Sequence, residues 1–102
     1  MSLERVLNTL VRLGLSRTEA EIYVFLARKG PQRKDDIISM LKIPDERMRL
    51  SLTNLQEKGV VASALKHDTL FSAVPFEKAI DSLAKTKIEE AKRLTKEKEY
   101  FL

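Results

Sequence analysis

RKDDIISMLKIPDERMRLSLTNLQEKGVVASALKHDTLFSAV, residues 33–74, is the stretch on which the fold turns. From about Arg33 to Leu41, Ile37, Ile38 and Leu41 fall on one face, the spacing of a short amphipathic helix. Lys42-Ile43-Pro44 interrupts it, and Asp45 is a good N-cap for a second helix running to about Lys58. Met48, Leu52 and Leu55 share the side of that helix which must be buried. Two short helices joined through a tight apolar turn make a helix-turn-helix unit. Beyond Gly59 the pattern changes. Residues 60–65 and 69–74 are strand-like runs on either side of the polar Lys66-His67-Asp68 turn, which predicts a β-hairpin even though Ala62 and Ala64 are weak strand formers.

Upstream lie two further helices. Leu3, Val6, Leu7, Leu10, Val11 and Leu13 follow helical spacing, with Glu4, Arg5, Asn8 and Arg12 on the other side. Ser16-Arg17-Thr18-Glu19 is a capping box, in which the serine hydroxyl and the glutamate carboxylate each satisfy a backbone N–H at the helix start. The run Ile22 to Ala27 that follows is apolar on nearly every side, so this helix belongs at the centre. Tyr23 is expected in the core with its hydroxyl near the surface. Downstream of Pro75, Phe76, Ile80, Leu83, Ala84, Ile88, Ala91, Leu94 and Phe101 cluster on one side of a long helix, interrupted by Lys87 and Lys98. So long a helix outreaches a small domain, and its outer part is expected to meet a partner helix. The three glycines stand where helices stop and the three prolines where the next element starts. The fold class is therefore mainly α with a small β-hairpin: a winged helix-turn-helix with a long C-terminal helix. The expected division is residues 1–75 for the winged helix and 76–102 for a dimerising helix, with Ile80, Leu83, Ile88, Ala91 and Leu94 as the dimer contacts.

The quoted order of elements also resembles the N-terminal domain of TrmB-type regulators, a group of sugar-responsive transcription factors found chiefly in archaea. Four pieces carry the resemblance: Leu13 to Tyr23, Lys29-Gly30-Pro31, Leu52 to Val61, and Ala73 to Ile80. The piece Leu52-x-x-Leu55-x-x-x-Gly59-x-Val61 is shared with MarR-like and ArsR-like winged helices, so the specificity lies in the four together. The resemblance implies a DNA-binding transcriptional regulator whose relatives commonly dimerise. Larger relatives carry a sugar-binding domain after the long helix, and this sequence stops at Leu102 without one; no effector is assigned.

Composition narrows the chemistry. At 102 residues, 43% hydrophobic and 33% charged, the chain has material for one core. Nineteen basic residues against fifteen acidic ones give +4, the sign suited to phosphates, but no segment is a basic block. Without cysteine, and with His67 as the one histidine, thiol nucleophiles, disulfides and multi-histidine metal sites are excluded. There is no Gly-rich phosphate loop, no secretory leader pattern and no apolar run long enough for a membrane span. The expectation is a cytoplasmic, non-enzymatic protein without cofactor or metal.

In a helix-turn-helix the second helix enters the major groove while the first helix and the wing hold phosphates. The face opposite Met48, Leu52 and Leu55 displays Glu46, Arg47, Arg49, Leu50, Thr53, Asn54 and Glu57. Arg47, Arg49, Thr53 and Asn54 carry the donors that base edges and phosphates need, arginine pairing with guanine and asparagine with adenine. Arg33 and Lys34 at the start of the preceding helix, and Lys66 and His67 in the hairpin turn, are the expected backbone contacts. The expected partner is double-stranded DNA, bound by a homodimer. Glu46 and Glu57 oppose phosphates, and the same residue types make any solvated helix face. A second reading therefore stands beside the first: a winged-helix protein-interaction module of a transcription or chromatin assembly, with Glu46, Leu50 and Glu57 as its contact.

Overall fold

In the computed structural model, which describes residues 2–65 and 68–101, the helix that opens on the capping box is central. Ser16 and Glu19 cap each other as their spacing requires: the Glu19 N–H donates to Ser16 Oγ at 3.0 Å and the Ser16 N–H to Glu19 Oε1 at 2.8 Å. This helix, α2 (Arg17–Lys29), buries Ala20, Ile22, Tyr23 and Leu26. It packs against α1 (Leu3–Arg12), which contributes Leu7 and Leu10. Tyr23 lies in the core, as expected. It is 1% exposed, and its hydroxyl turns inward to donate to the Val74 carbonyl, tying the centre of the fold to the end of the hairpin.

The helix-turn-helix follows as α3 (Lys34–Leu41) and α4 (Asp45–Glu57). The sharp turn between them is made by Lys42 in the left-handed conformation, φ 54°, with its N–H on the Ile38 carbonyl at 2.8 Å. Buried Ile43 plugs the corner beneath. Asp45 is not the N-cap it was expected to be. Pro44 holds that position, no side chain caps the helix, and Asp45 is the first helical residue, where an acidic group still suits the helix dipole. Met48, Leu52 and Leu55 are buried as their spacing demands.

The hairpin is present as β2 (Val61–Leu65) and β3 (Thr69–Ala73), antiparallel, in register from Val61 opposite Ala73 to Leu65 opposite Thr69. A strand of two residues, β1 (Gln32–Arg33), adds to the far side of β3 and gives the order β1-β3-β2, so the wing is a three-stranded sheet. Gly59, at φ 75°, makes the reversal from α4 into the sheet, a conformation that disfavours any residue with a Cβ. The last helix, α5 (Phe76–Phe101), begins within the same core through Ala79 and Leu83 and runs past Gly59 and Gly14. The packed unit thus continues beyond residue 75, and from residue 87 the helix is exposed at every residue to Tyr100. Every buried side-chain nitrogen and oxygen among the described residues has a hydrogen-bond partner.

Candidate nucleic-acid interface

Burial of Met48, Ser51, Leu52 and Leu55 fixes which way α4 faces, because a helix that commits one side to the core must present the other. The presented side carries Glu46, Arg47, Arg49, Leu50, Thr53 and Glu57, all exposed, with no other element of the subunit covering them. Pro44, Glu46, Arg47, Arg49, Leu50 and Thr53 line a shallow depression along it. Asn54 does not belong with them. It is half-buried on the flank of α4, less open to a partner than the residues of the outer face.

The basic groups near this face are mostly engaged. Lys34 Nζ lies 2.9 Å from Asp45 Oδ1 and Arg49 Nε 3.0 Å from Asp45 Oδ2, so one carboxylate at the start of α4 holds a cation from each helix of the unit. The Lys34 ammonium foremost, and Arg49 with it, keep the Asp45 carboxyl below its usual range. Arg33 is shared between Asp36 at 3.2 Å and Asp68 at 3.2 Å, which ties the wing to the start of α3 and raises the guanidinium pKa further. Among the described residues Arg47 alone of the four expected cations makes no ion pair. All these pairs are exposed enough to be worth little and to open readily when a phosphate competes. Lys66 and His67, the expected wing contacts, lie outside the described residues.

Two ties that set the wing's angle were not legible in sequence. Gln56 Nε2 donates to Ser63 Oγ at 2.9 Å, linking α4 to β2, and Arg33 joins Asp68 across 35 residues. Neither has a local signal, because both partners are common surface residues brought together only by the fold. Of the five expected dimer contacts, Leu83 is 1% exposed in the subunit's own core and is unavailable to a partner, and Ile80 packs half-buried against that core. Ile88, Ala91 and Leu94 are exposed.

Residues 10–77, from the last turn of α1 to the second residue of α5, match the family model described as sugar-specific transcriptional regulator TrmB. The chain belongs to the TrmB family. Members of that family are described as sugar-specific transcriptional regulators. Comparison with curated proteins finds no match. Among solved structures, the archaeal chromatin protein TrmBL2 superposes with a TM-score of 0.81 at 21% identity, over 97% of this chain and 40% of that one. This chain therefore spans less than half the length of TrmBL2. A protein of the thermoacidophilic archaeon Sulfolobus tokodaii gives 0.70 at 18% identity, over 89% of this chain and 98% of that one. An ArsR-like transcriptional regulator from Rhodococcus sp. RHA1 gives 0.61 at 21%, covering 95% and 93%. At these identities the likeness is one of fold, and the fold is the winged helix. No helix among the described residues is long and apolar enough to cross a membrane.

Proposed function

We propose that this TrmB-family chain binds double-stranded DNA as a homodimer, with α4 of each subunit entering the major groove, and that it has no enzymatic activity. The observation that carries the reading is the free outer face of α4: the one helix that a winged helix-turn-helix lays in the groove is uncovered along Glu46, Leu50, Thr53 and Glu57. Arg47 and Arg49 flank it, and Arg33 and Lys34 stand at the start of α3 for the phosphates. Lys66 and His67 at the wing complete the proposed contact set.

Dimerisation is supported by the outer half of α5. Ile88 at 56% and Leu94 at 64% exposure stand on a stretch of helix that is exposed at every residue from 87 to 100, with Ala91 between them small enough for close approach. Pairing of two such helices would set two recognition helices on successive grooves, roughly 34 Å apart on a palindromic site. A cytoplasmic site of action belongs to this reading. Fluorescence anisotropy with labelled duplex DNA tests it. Binding that weakens with salt, and weakens further when Arg47 and Arg49 are both replaced by alanine, is expected. Indifference to DNA at low salt, with capture of a protein partner through Glu46, Leu50 and Glu57, would replace it with the interaction-module reading.

A further inference from the structure

The position of each side chain around α4 divides the labour of contact. Measured from buried Met48 at about 100° per residue, Glu46, Leu50, Thr53 and Glu57 fall within about 40° of the point diametrically opposite the core. Arg47 and Arg49 lie about 100° to either side of Met48, on the flanks. The outermost ridge of the helix therefore reads Glu46-Leu50-Thr53-Glu57, with a guanidinium on each shoulder. When a helix enters the major groove ridge first, the ridge meets the base edges on the groove floor and the shoulders meet the two phosphate strands that form its walls. The arginines suit the walls, where their charge has a partner. What faces the floor is a leucine, a threonine and two carboxylates.

Leu50 stands at the middle of this ridge, 64% exposed, within the depression lined by Pro44, Thr53 and the two arginines. One exposed leucine on a surface is ordinary. This one occupies the spot that any object laid along α4 must touch. Of the four bases, thymine alone offers the major groove an apolar group, its C5-methyl. A polar base edge set against Leu50 would lose its water and gain no hydrogen bond, whereas a methyl group gains by the same loss of water. The flanking carboxylates suit neighbouring positions instead: Glu46 and Glu57 accept from the amino groups of cytosine or adenine and repel acceptors such as guanine O6 and thymine O4, which leaves the thymine contact to Leu50.

Resting on the DNA-binding reading, we infer that Leu50 is a specificity-determining residue that selects thymine through its methyl group, and that Arg47 and Arg49 grip the backbone without choosing bases. The test begins by selecting duplexes from a randomised pool with the full chain. The enriched duplex is then resynthesised with deoxyuridine in place of each thymidine in turn, which removes the methyl and leaves every hydrogen-bonding group. At one position per half-site the loss of a buried methyl should weaken binding about fourfold, and both half-sites together about fifteenfold. Leu50→Ala should bind the thymine and uracil duplexes alike, and because Leu50 is exposed the variant should keep its thermal stability. Enrichment of a duplex with no uracil effect at any position, or a uracil effect that persists in Leu50→Ala, overturns this inference and leaves DNA binding standing. A pool from which nothing is enriched removes DNA binding itself and the inference with it.

Discussion

Replacing Arg47 and Arg49 together with alanine should change the salt dependence of DNA binding by a predictable amount. Arg47 makes no ion pair among the described residues, and Arg49 is held only by a pair to Asp45 whose side chains are 69% and 49% exposed. A pair so exposed is weak and exchanges readily, so a phosphate can take the guanidinium from it. Each cation delivered to a phosphate makes the plot of log affinity against log salt steeper by about 0.9. A homodimer loses four such contacts in the double variant, so the slope should become shallower by about 3.6. Between about 50 and 200 mM salt the native protein should therefore lose roughly a hundredfold more affinity than the variant loses. The assay is fluorescence anisotropy on a fixed duplex over a salt series, with circular dichroism melting to verify that both proteins are folded. Replacing Leu50 in parallel should leave the slope unchanged, since an apolar contact releases no counterions. An unaltered slope in the arginine variant would mean that neither shoulder of α4 touches phosphate, and the orientation of the helix in the groove would be wrong.

Other outcomes follow from the same structure. Ile88→Asp with Leu94→Asp should convert a dimer to a monomer in sedimentation without lowering the melting temperature, since both positions are exposed; an unchanged sedimentation coefficient would place the dimer contact elsewhere. Asp45→Asn releases Lys34 and Arg49, so affinity for non-specific duplex at low salt should rise, and a fall would show that Asp45 positions the two cations for binding. Burial would raise the Glu19 carboxyl, but the Ser16 N–H, Lys58 and Asn54 outweigh it and hold the pKa below the ordinary 4.5. Its ionised form therefore stabilises the fold fully above that value and ceases to do so as pH falls through the lowered one. The melting temperatures of native protein and Glu19→Gln should converge on acidification from about pH 6 to about pH 3, and a constant gap would refute the role given to the charge.

What could be read from the sequence was what depends on neighbours along the chain. The capping box needs only Ser16 and Glu19 three residues apart, and the buried side of α4 needs only the recurrence of Met48, Leu52 and Leu55; both are as their spacing dictates. Strand β1 escaped because two residues carry no periodicity, and Gln32-Arg33 is a strand solely through pairing with Phe71 and Leu70. The site was less legible for the same reason at longer range. Spacing along the chain grouped Asn54 with the outer face of α4, but the packing around the helix leaves it half-buried. The apolar stripe of α5 likewise gave Leu83 and Ile88 as equivalents. The body of the domain ends between them, and the same stripe is core before that point and free surface after it.

The ion pairs bear on how such a face could discriminate. Attraction between a protein and any stretch of DNA grows with the number of cations free to displace counterions, and it is blind to sequence. In this chain Asp45, Asp36 and Asp68 engage Arg33, Lys34 and Arg49, three of the four described basic groups of the proposed contact set, and Glu46 and Glu57 add negative charge on the ridge itself. General attraction is thereby held down. On the proposed reading, a site with the right base edges would still gain the contacts of the α4 ridge, which do not depend on net charge, and only when the groove is entered would Arg33, Arg49 and Lys34 come near enough to phosphate to leave their carboxylates. Fit to sequence would then precede the full electrostatic grip, and carboxylates that look unfavourable for a DNA-binding surface would raise the ratio of specific to non-specific affinity, the quantity a regulator among many competing sites depends on.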